Sequence, residues 1–313
     1  MGKTNPHDKL FKASFQHIEI GKAYLQHFLL KEVVQKIDLS SLRLNPNSYV
    51  DADLSTYFSD VVYEAQLEGT EAQIVFLLEH KSFVVPAPHL QLLTYMVGIW
   101  RNQQKAQEAL KPILPIIIYH GQATWEETPF STLFPTLPHS LTAYFPDFRY
   151  HLTDLSRFSD EELLQLEGTL LMQTFFLFKH RGNKPFFRAN LSLIFSKAED
   201  FTQDPPSRNL IEAFFVYLNY TSDFKEPEFL ALMSQLPPKT RELAKTTYDY
   251  IFEAGEAKGI EEGIEKGMEK GKLAIQNHAI RTGLANGLAL EMIAKIANMT
   301  LEEVRERIKA LGL

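Results

Sequence analysis

The stretch from Tyr57 to Lys81 reads YFSDVVYEAQLEGTEAQIVFLLEHK and is the most informative part of the chain for its fold. Two segments rich in β-branched and aromatic residues flank a polar segment that contains Gly69, a pattern typical of a β-hairpin. The second segment carries the uninterrupted apolar run Ile74–Leu78, which predicts a strand covered on both faces. This strand ends abruptly in three polar residues, Glu79, His80 and Lys81.

The polar end of this strand predicts a site with two carboxylates. Side chains alternate along a strand, so Glu79 and Lys81 should share one face while His80 points to the other. Asp60 comes directly before the preceding strand, and we expect the hairpin to place it beside Glu79. Charged groups at the end of a buried strand are costly unless they meet a partner or a metal. Two carboxylates therefore predict a site for Mg²⁺ or Mn²⁺, which prefer oxygen ligands.

Such a site suits metal-assisted hydrolysis of a phosphodiester. The cation polarises the phosphate and lowers the pKa of an attacking water, while Lys81 orients that water or neutralises charge in the transition state. From the residues alone a second interpretation stays open, in which Glu79 and Lys81 form a solvated ion pair at a strand end.

Length and composition restrict the class of protein. The 313 residues are 45% hydrophobic and 23% charged, which is typical of a globular protein of one or two domains. The absence of cysteine excludes disulfides, iron–sulfur clusters and thiol nucleophiles. The start of the chain is polar and no run is long enough to cross a membrane, so we expect a cytoplasmic protein without a membrane partner. The net charge of −7 argues against a general nucleic-acid coat but leaves room for a local basic groove.

The segment before the hairpin predicts one helix and one strand. Apolar residues at helical spacing indicate a helix over residues 7–30, with Asn5 as its cap and Pro6 in its first turn. Asp8 lies in that first turn, where the helix dipole favours an acid. The first strand is expected near residues 40–44.

The segment after the hairpin predicts a helix over residues 89–107. Gln91 and Tyr95 are neighbours at i and i+4 and can hold a water or a phosphate oxygen near the metal, although a plain surface pair is the alternative. Arg101 and Lys105 belong to the most basic neighbourhood of the chain, which we interpret as a nucleic-acid backbone contact or as solvated helix charges. The apolar face of this helix is predicted to carry Leu90, Leu93, Met96, Val97 and Trp100.

The remaining elements indicate a mixed α/β protein. Residues 112–119 predict another buried strand, and a further strand is expected near 150–153. A helix, three strands, a helix and another strand in this order are typical of a small sheet flanked by helices. Residues 159–255 are expected to be mainly helical, with one helix running from 160 to 178.

Five glycines recur every four residues in the charged segment from Gly255 to Gly271. Each costs about 1 kcal/mol relative to alanine inside a helix, so the segment needs compensation from a partner helix or is disordered. Self-association and a linker are both open. Thr300 and Glu303 form a capping box in the last stretch, and Ile293, Ile296, Met299, Val304 and Ile308 predict the apolar seam of a small dimerisation module.

Several of these motifs occur together in one known family. The start His7-Asp8-x-Leu-Phe-Lys12, the pair Ser59-Asp60, Leu77-Leu-Glu-His-Lys-Ser82, the helix motif from Tyr95 to Trp100 and Leu114–Gly121 follow one another in that order. The chain resembles the recombination-promoting nuclease (Rpn), or YhgA-like, family, which looks like a branch of the PD-(D/E)XK nuclease superfamily. The resemblance implies a restriction-endonuclease-like mixed sheet flanked by helices. The implied domains are a nuclease core over 1–155, a helical extension over 156–252 and a helical C-terminal module over 253–313.

The resemblance also implies roles for individual residues. Asp60 and Glu79 would be the acidic metal ligands, joined by the backbone carbonyl of His80, and Lys81 would complete the D/E-x-K pair. Gln91 and Tyr95 match a Gln-x-x-x-Tyr pattern of some branches, and Asp8 is a further supporting candidate. Many Rpn members have glutamine at the position of Lys81, so this chain is nearer the superfamily pattern. Ser59 stands where the pattern has proline, which weakens the match slightly.

The implied activity is cleavage of DNA by an endonuclease that depends on Mg²⁺, with Mn²⁺ or Ca²⁺ as possible substitutes. Members of the family are linked to recombination, gene transfer and defence against phage. In some of them a short product of the C-terminal part inhibits the nuclease, so 253–313 is expected to govern dimer assembly or inhibition. The alternative is a catalytically silent protein that binds DNA or another protein through its C-terminal helices.

Overall fold

The computed structural model describes residues 5–45, 61–70, 73–134, 136 and 138–313, with the backbone alone at His139 and 254–265. The chain divides into two compact units, Met1–Tyr248 and Asp249–Leu313. The first unit contains the sheet and the helices packed on it. The second contains the glycine repeat and the last helices.

The described residues of the first unit form one mixed sheet of five strands in the order β1-β2-β3-β4-β5. Strands β1, β2 and β3 are antiparallel neighbours, whereas β3, β4 and β5 run parallel. The mixed α/β sheet flanked by helices is therefore confirmed. The strands are β1 (Ile37–Leu44), β2 (Val61–Leu67), β3 (Gln73–Lys81), β4 (Ile113–Tyr119) and β5 (His151–Asp154).

Helices account for most of the other described residues. Short 3-10 helices lie at Phe130–Leu133, His139–Tyr144, Leu155–Arg157 and Ala198–Phe201. The α-helices are α1 (Pro6–Phe15), α2 (Ile18–Phe28), α3 (Lys31–Val34), α4 (Pro88–Lys105), α5 (Asp160–Leu164), α6 (Thr169–Lys179), α7 (Lys184–Ile194), α8 (Pro205–Ser222), α9 (Glu226–Met233), α10 (Pro238–Ala285), α11 (Leu290–Ala297) and α12 (Leu301–Ala310).

Two predicted helices are each broken into two. The helix expected over 7–30 consists of α1 and α2, because the chain leaves helical geometry at His17, which precedes α2 in an extended conformation. Asn5 does cap α1, since its side chain accepts a hydrogen bond from the backbone N–H of His7. The helix expected over 160–178 consists of α5 and α6, because Gly168 has a φ of +124°, which no right-handed helix contains.

The two faces of the sheet carry different apolar layers. Tyr63, Phe76 and Ile118 point toward α1, α2, α6 and α8 and belong to the larger cluster of buried residues. Val62, Leu77 and Ile117 point the other way and pack against α4. This alternation explains why β3 and β4 are continuous apolar runs, because both of their faces are covered.

The predicted apolar face of α4 is wrong at Leu90 and correct at Met96. Leu90 is 55% exposed, whereas Leu92, Tyr95, Met96 and Ile99 are buried against the sheet. Apolar residues occupy more than one stripe of this helix, so helical periodicity alone did not select between them. The contact with β3 and β4 sets the rotation of the helix instead.

Gly21 of α2 lies directly against Tyr63 of β2. A Cβ atom at this position would come within 2.5 Å of the Tyr63 ring, which is fully buried and donates a hydrogen bond to the backbone carbonyl of Phe15. Overpacking of this kind typically costs about 1–3 kcal/mol, so Gly21→Ala should lower the free energy of unfolding by that amount. Urea unfolding followed by tryptophan fluorescence measures the change.

The matched control is Gly267→Ala in α10, where no side chain that the structure describes lies within 4 Å of the added Cβ. Both tryptophans of the chain, Trp100 and Trp125, belong to the first unit, so their fluorescence should report no loss of stability for the control. Equal unfolding curves for Gly21→Ala and the unmodified protein would contradict the close packing of α2 on β2.

The second unit has its own small core. Ile280, Ile293 and Val304 are fully buried in it, and the capping box of Thr300 and Glu303 is confirmed at the start of α12. Ile296 is 58% exposed, so its predicted place in the apolar seam is wrong. The glycine repeat lies inside α10, which is helical throughout. Its role in self-association stays a prediction. No helix among the described residues combines the length and apolarity needed to cross a membrane.

Candidate active site

The end of β3 presents polar side chains to both faces of the sheet. Glu79 and Lys81 share one face of the sheet and His80 points to the other, as predicted, and the shared face is the one that α4 covers. Strand β3 lies between β2 and β4, and Glu79 is opposite Ile117 of the parallel strand β4. The central position of the strand keeps both Glu79 and His80 about 4% exposed.

A hydrogen-bonded cluster joins the end of β3 to the first turns of α4. Lys81 donates from Nζ to Glu79 Oε1 at 2.6 Å and to Gln91 Oε1 at 2.9 Å. Gln91 donates from Nε2 to Glu79 Oε1 at 3.3 Å and to the hydroxyl of Tyr95. The structure thus brings together four of the side chains that the sequence singled out. We call Glu79, Lys81, Gln91 and Tyr95 the Glu79 cluster.

One oxygen of Glu79 has no partner inside this cluster. Oε2 is buried and accepts no hydrogen bond from the residues that the structure describes. A buried carboxylate oxygen without a donor is costly unless a cation or water meets it. The donor set therefore fits a hard divalent cation at Oε2, because carboxylate oxygens are the ligands such cations prefer.

Asp60, the second predicted metal ligand, lies outside the described residues. The described ladder between β2 and β3 ends at Val61, which is opposite Leu78. Val61 follows Asp60 in the chain, and Leu78 precedes Glu79. The proximity of the two carboxylates stays a prediction. In the parts of the chain that are described, no group of three or more histidine, aspartate or glutamate side chains is arranged to hold a metal.

Asp8 lies on the other face of the sheet from the Glu79 cluster. Its Oδ1 is 3.3 Å from Nδ1 of His80, whose ring stacks on Phe11 with a centroid distance of 5.3 Å. The structure therefore places Asp8 against the side chain of His80 rather than in the cluster that contains Lys81 and Gln91. Helix α1 packs on the sheet face opposite α4, which explains this placement.

A group of histidines that the sequence did not indicate surrounds His80. The rings of His80 and His120 stack with a centroid distance of 5.1 Å, and the ring of His7 lies 5.1 Å from that of His120. Arg181 donates a hydrogen bond to Nδ1 of His120 at 2.8 Å. Tyr217 completes the group through a 2.7 Å hydrogen bond between its hydroxyl and Nδ1 of His7.

Burial keeps these histidines neutral at physiological pH. Burial lowers the pKa of His80 to about 3, with further lowering from His7, Lys81 and Arg181. Burial and then Arg181 lower the pKa of His7 to about 4. The pKa of His120 is also well below its usual value, for the same reason and because His80 and Arg181 are close.

The neutral histidines make the stability of the fold sensitive to pH. An unfolded histidine binds its proton near pH 6.5, whereas folded His80 resists protonation down to about 3. The unfolding free energy is therefore highest above the pKa of the unfolded histidine, and it falls as the pH drops toward the pKa of the folded histidine. Each such histidine lowers the unfolding free energy by about 1.4 kcal/mol for every pH unit of acidification in this window. The unfolding free energy should therefore fall by at least ~2 kcal/mol between about pH 6.5 and pH 5.

His80→Phe should flatten this pH dependence by about one proton, because a phenyl ring retains the stacking and cannot titrate. His27 is exposed on α2, so His27→Gln serves as the control. Urea unfolding at a series of pH values measures both. The pKa values of Glu64 and Asp160 lie below those of ordinary carboxyl groups, so these two residues change the unfolding free energy only at a pH below this window. An unfolding free energy that is flat from about pH 6.5 to pH 5 would contradict the buried neutral histidines.

Arg101 and Lys105 lie away from the Glu79 cluster. Both are exposed on the C-terminal part of α4, whereas Gln91 is in its first turns. At 1.5 Å per residue, Arg101 is about 15 Å and Lys105 about 21 Å further along the helix axis. The structure does not bring these two cations to the residues at the end of β3, so a DNA contact by them stays a prediction at a distance from the cluster.

Glu64 is a second buried acid on the α4 face of the sheet, and its contacts are structural. It accepts hydrogen bonds from Arg43 at 2.8 Å, from Lys111 at 3.1 Å and from Asn45 at 2.7 Å. Burial raises the pKa of Glu64, but the hydrogen bonds from Arg43 and Lys111 outweigh it and hold that pKa below its usual value. Unlike Glu79, this carboxylate has a donor for each oxygen.

The mixed sheet with helices on both faces defines an α/β protein. This architecture, with a Glu-x-Lys pair at the end of the middle strand, is consistent with the restriction-endonuclease-like fold. The chain belongs to the family described as "Putative transposase, YhgA-like", whose family model matches residues 5–198. The matched region includes the whole Glu79 cluster together with His7, His120 and Arg181.

Similar proteins carry related names. The chain is 22% identical over 261 residues to the inactive recombination-promoting nuclease-like protein RpnE of Escherichia coli (strain K12), which covers 83% of this chain and 85% of RpnE. It is 26% identical over 165 residues to the recombination-promoting nuclease RpnC of the same strain, covering 52% of this chain and 54% of RpnC. It is 24% identical over 262 residues to the recombination-promoting nuclease RpnA, covering 81% and 85%. No solved structure matches the chain significantly.

Proposed function

We propose that this chain is a nuclease that hydrolyses phosphodiester bonds in DNA with the help of a divalent metal. The observation that carries the proposal is the buried Glu79, whose Oε1 is bound by Lys81 and Gln91 while Oε2 lacks a donor among the described residues. An acid held in this way at a strand end has a ready lone pair for a cation. The names of RpnC and RpnA support nuclease chemistry in the same family.

The proposed metal ligands are Glu79, Asp60 and the backbone carbonyl of His80. A bound Mg²⁺ would polarise the phosphate and lower the pKa of a coordinated water. Mn²⁺ and Ca²⁺ are the proposed substitutes, since both take oxygen ligands.

Lys81 has the proposed role of stabilising charge. Its side chain is 14% exposed, and its ammonium group is fixed by two acceptors, Glu79 Oε1 and Gln91 Oε1. A preorganised cation in a partly dry site stabilises the negative charge that develops on the phosphate without reorganising during the reaction. It can also donate a hydrogen bond that orients the attacking water.

Gln91 and Tyr95 are proposed to position the other two groups. Gln91 accepts a hydrogen bond from Lys81 and donates to Glu79, so it fixes the distance between the acid and the amine. Tyr95 is buried and in turn accepts a hydrogen bond from Gln91 Nε2. We expect Gln91→Ala to reduce cleavage by about 10- to 100-fold, because supporting residues around metal sites typically have effects of this size. Cleavage rates at saturating Mg²⁺ measure the effect, and an unchanged rate would remove Gln91 from the site.

A second candidate function is supported by the name of RpnE. This relative aligns with 83% of the chain and is named inactive. A silent member would bind DNA or a protein without cutting. The intact Glu-x-Lys pair of this chain favours the nuclease.

The test of the nuclease is the conversion of supercoiled plasmid to nicked and linear forms by the purified protein. Mg²⁺ and Mn²⁺ should each support cleavage, and EDTA should abolish it. Cleavage that persists in EDTA, or its absence in every metal although the protein binds DNA, would favour the second candidate or a different mechanism.

The wider role and the assembly remain proposals of the same kind. We propose that cleavage serves recombination or defence against mobile DNA, and that the second unit joins two copies of the chain or receives an inhibitory C-terminal fragment. Sedimentation of the full chain and of a variant ending at residue 248 tests the assembly. A shared monomeric state for both would exclude a dimer through the second unit.

A further inference from the structure

Arg181 occupies an unusual position at the end of the sheet. It follows α6 and precedes Gly182, whose φ of +75° turns the chain toward α7. Its guanidinium donates to Nδ1 of His120 at 2.8 Å and to the backbone carbonyl of the same residue. Both bonds start from Nη1, so this nitrogen is fixed while the side chain remains partly exposed.

Arg181 forms no ion pair with the carboxylates that the structure describes. Within the described residues no carboxylate lies at ion-pair distance from it, whereas Arg43, Arg157 and Arg188 each have one. The described hydrogen bonds of Arg181 go to the ring and to the backbone carbonyl of His120, neither of which is an anion. A fixed arginine of this kind leaves a positive field that an anion can use.

The position of Arg181 relative to the Glu79 cluster follows from strand pairing. The backbone N–H of His120 donates to the carbonyl of Lys81 at 3.0 Å, so the residue that holds Arg181 is bonded directly to the end of β3. Lys81 lies on the α4 face and Arg181 on the opposite face. The two cations therefore lie on opposite faces at the end of the same two strands.

We propose that Arg181 binds a phosphate of the DNA backbone next to the cleaved bond, and that His120 is the positioning residue that holds it. The planar guanidinium suits this role because its remaining donors match two phosphate oxygens at once. The inference rests on the proposed function, since it assumes that DNA crosses the end of β3 and β4.

The test is the affinity of the full chain for a short fluorescein-labelled DNA duplex, measured by anisotropy in EDTA so that no cleavage occurs. Arg181→Gln should bind about 5- to 10-fold more weakly, and the slope of log affinity against log salt should fall by about one between roughly 50 and 200 mM. Arg181→Lys should retain the slope and lose a few-fold in affinity, because the charge remains without the fork. Arg188→Gln is the matched control, because Arg188 is an exposed arginine already paired with Glu228.

Unchanged DNA affinity and salt slope in Arg181→Gln would overturn the inference. Loss of folding in both Arg181 variants would also overturn it, because it would show that Arg181 has a purely structural role. Circular dichroism checks the fold, and Arg181→Lys decides the question if only the glutamine variant fails to fold. Plasmid cleavage by the unmodified protein separates the two proposals. Cleavage with no effect of Arg181 on binding removes only this inference, whereas binding lost in Arg181→Gln without any cleavage removes only the nuclease.

Discussion

Glu79→Gln should lower the rate of plasmid cleavage in Mg²⁺ by at least ~1000-fold, because it removes a charged ligand of the metal. The metal in turn stabilises the charge of the transition state by several kcal/mol. The substitution keeps the volume of the side chain, and the amide retains an oxygen acceptor for Lys81. The folded structure should therefore survive, which thermal unfolding followed by circular dichroism can verify. Nicking rates at equal protein concentration measure the effect on catalysis.

The control is Glu68→Gln, in the exposed turn between β2 and β3. It changes the net charge by the same amount and should leave the cleavage rate unchanged. DNA affinity in EDTA should be equal or slightly higher for Glu79→Gln, since a negative charge has been removed from the binding surface. A cleavage rate within a few-fold of the unmodified protein would exclude Glu79 as a metal ligand.

Lys81→Met should reduce the cleavage rate at saturating metal by about 100- to 1000-fold, which is typical for loss of one preorganised charge-stabilising group. The long apolar side chain of methionine occupies much of the volume of the lysine stem. It leaves Glu79 without its 2.6 Å partner, so binding of the metal should not weaken and can strengthen. The loss is therefore expected in kcat and not in metal affinity.

Lys22→Met provides the comparison for Lys81, because Lys22 forms a surface pair with Glu19 on α2. Surface pairs of this kind contribute little, so its cleavage rate and stability should stay close to those of the unmodified protein. Titration of the cleavage rate with Mg²⁺ separates the two effects for Lys81. A higher Mg²⁺ requirement with an unchanged maximal rate would show that the lysine acts on metal binding instead of on the reaction.

The sequence was sufficient to predict the two pairs that make up the Glu79 cluster, because the members of each pair are local. Glu79 and Lys81 are two residues apart on a strand, and Gln91 and Tyr95 are four apart on the next helix. Strand alternation and the helical repeat therefore fix which side chains share a face. The apolar run before Glu79 added the expectation of burial, which the structure confirms at 4% exposure.

The histidine group shows why the rest was not predictable. His7, His80, His120 and Arg181 come from a helix, two strand ends and a loop that are far apart in the chain. No spacing rule links them, and each one alone resembles an ordinary polar residue. The signal that could have linked two of them is that β3 and β4 both have a histidine next to their last residue, in Glu-His-Lys and Tyr-His-Gly. Parallel neighbouring strands bring their C-terminal ends to one edge of the sheet, so these two histidines lie together.

The predicted rotation of α4 differs from the observed one for a related reason. Leu90 and Leu92 both belong to apolar stripes, and only packing against Leu77 and Ile117 of the sheet selects the stripe with Leu92. The error did not affect Gln91 and Tyr95, because their relation to each other depends on the helical repeat alone. Their relation to Lys81 depends on the packing, which the sequence did not determine.

The central claim is that Glu79 shares one divalent cation with Asp60. Mn²⁺ binding followed by electron paramagnetic resonance tests it directly, without requiring catalysis. One tight Mn²⁺ site is expected in the unmodified protein, and Asp60→Ala and Glu79→Ala should each weaken it by at least about 10-fold while Glu68→Gln leaves it intact. Mn²⁺ affinity that is the same in Glu79→Ala as in the unmodified protein would contradict a metal at this strand end.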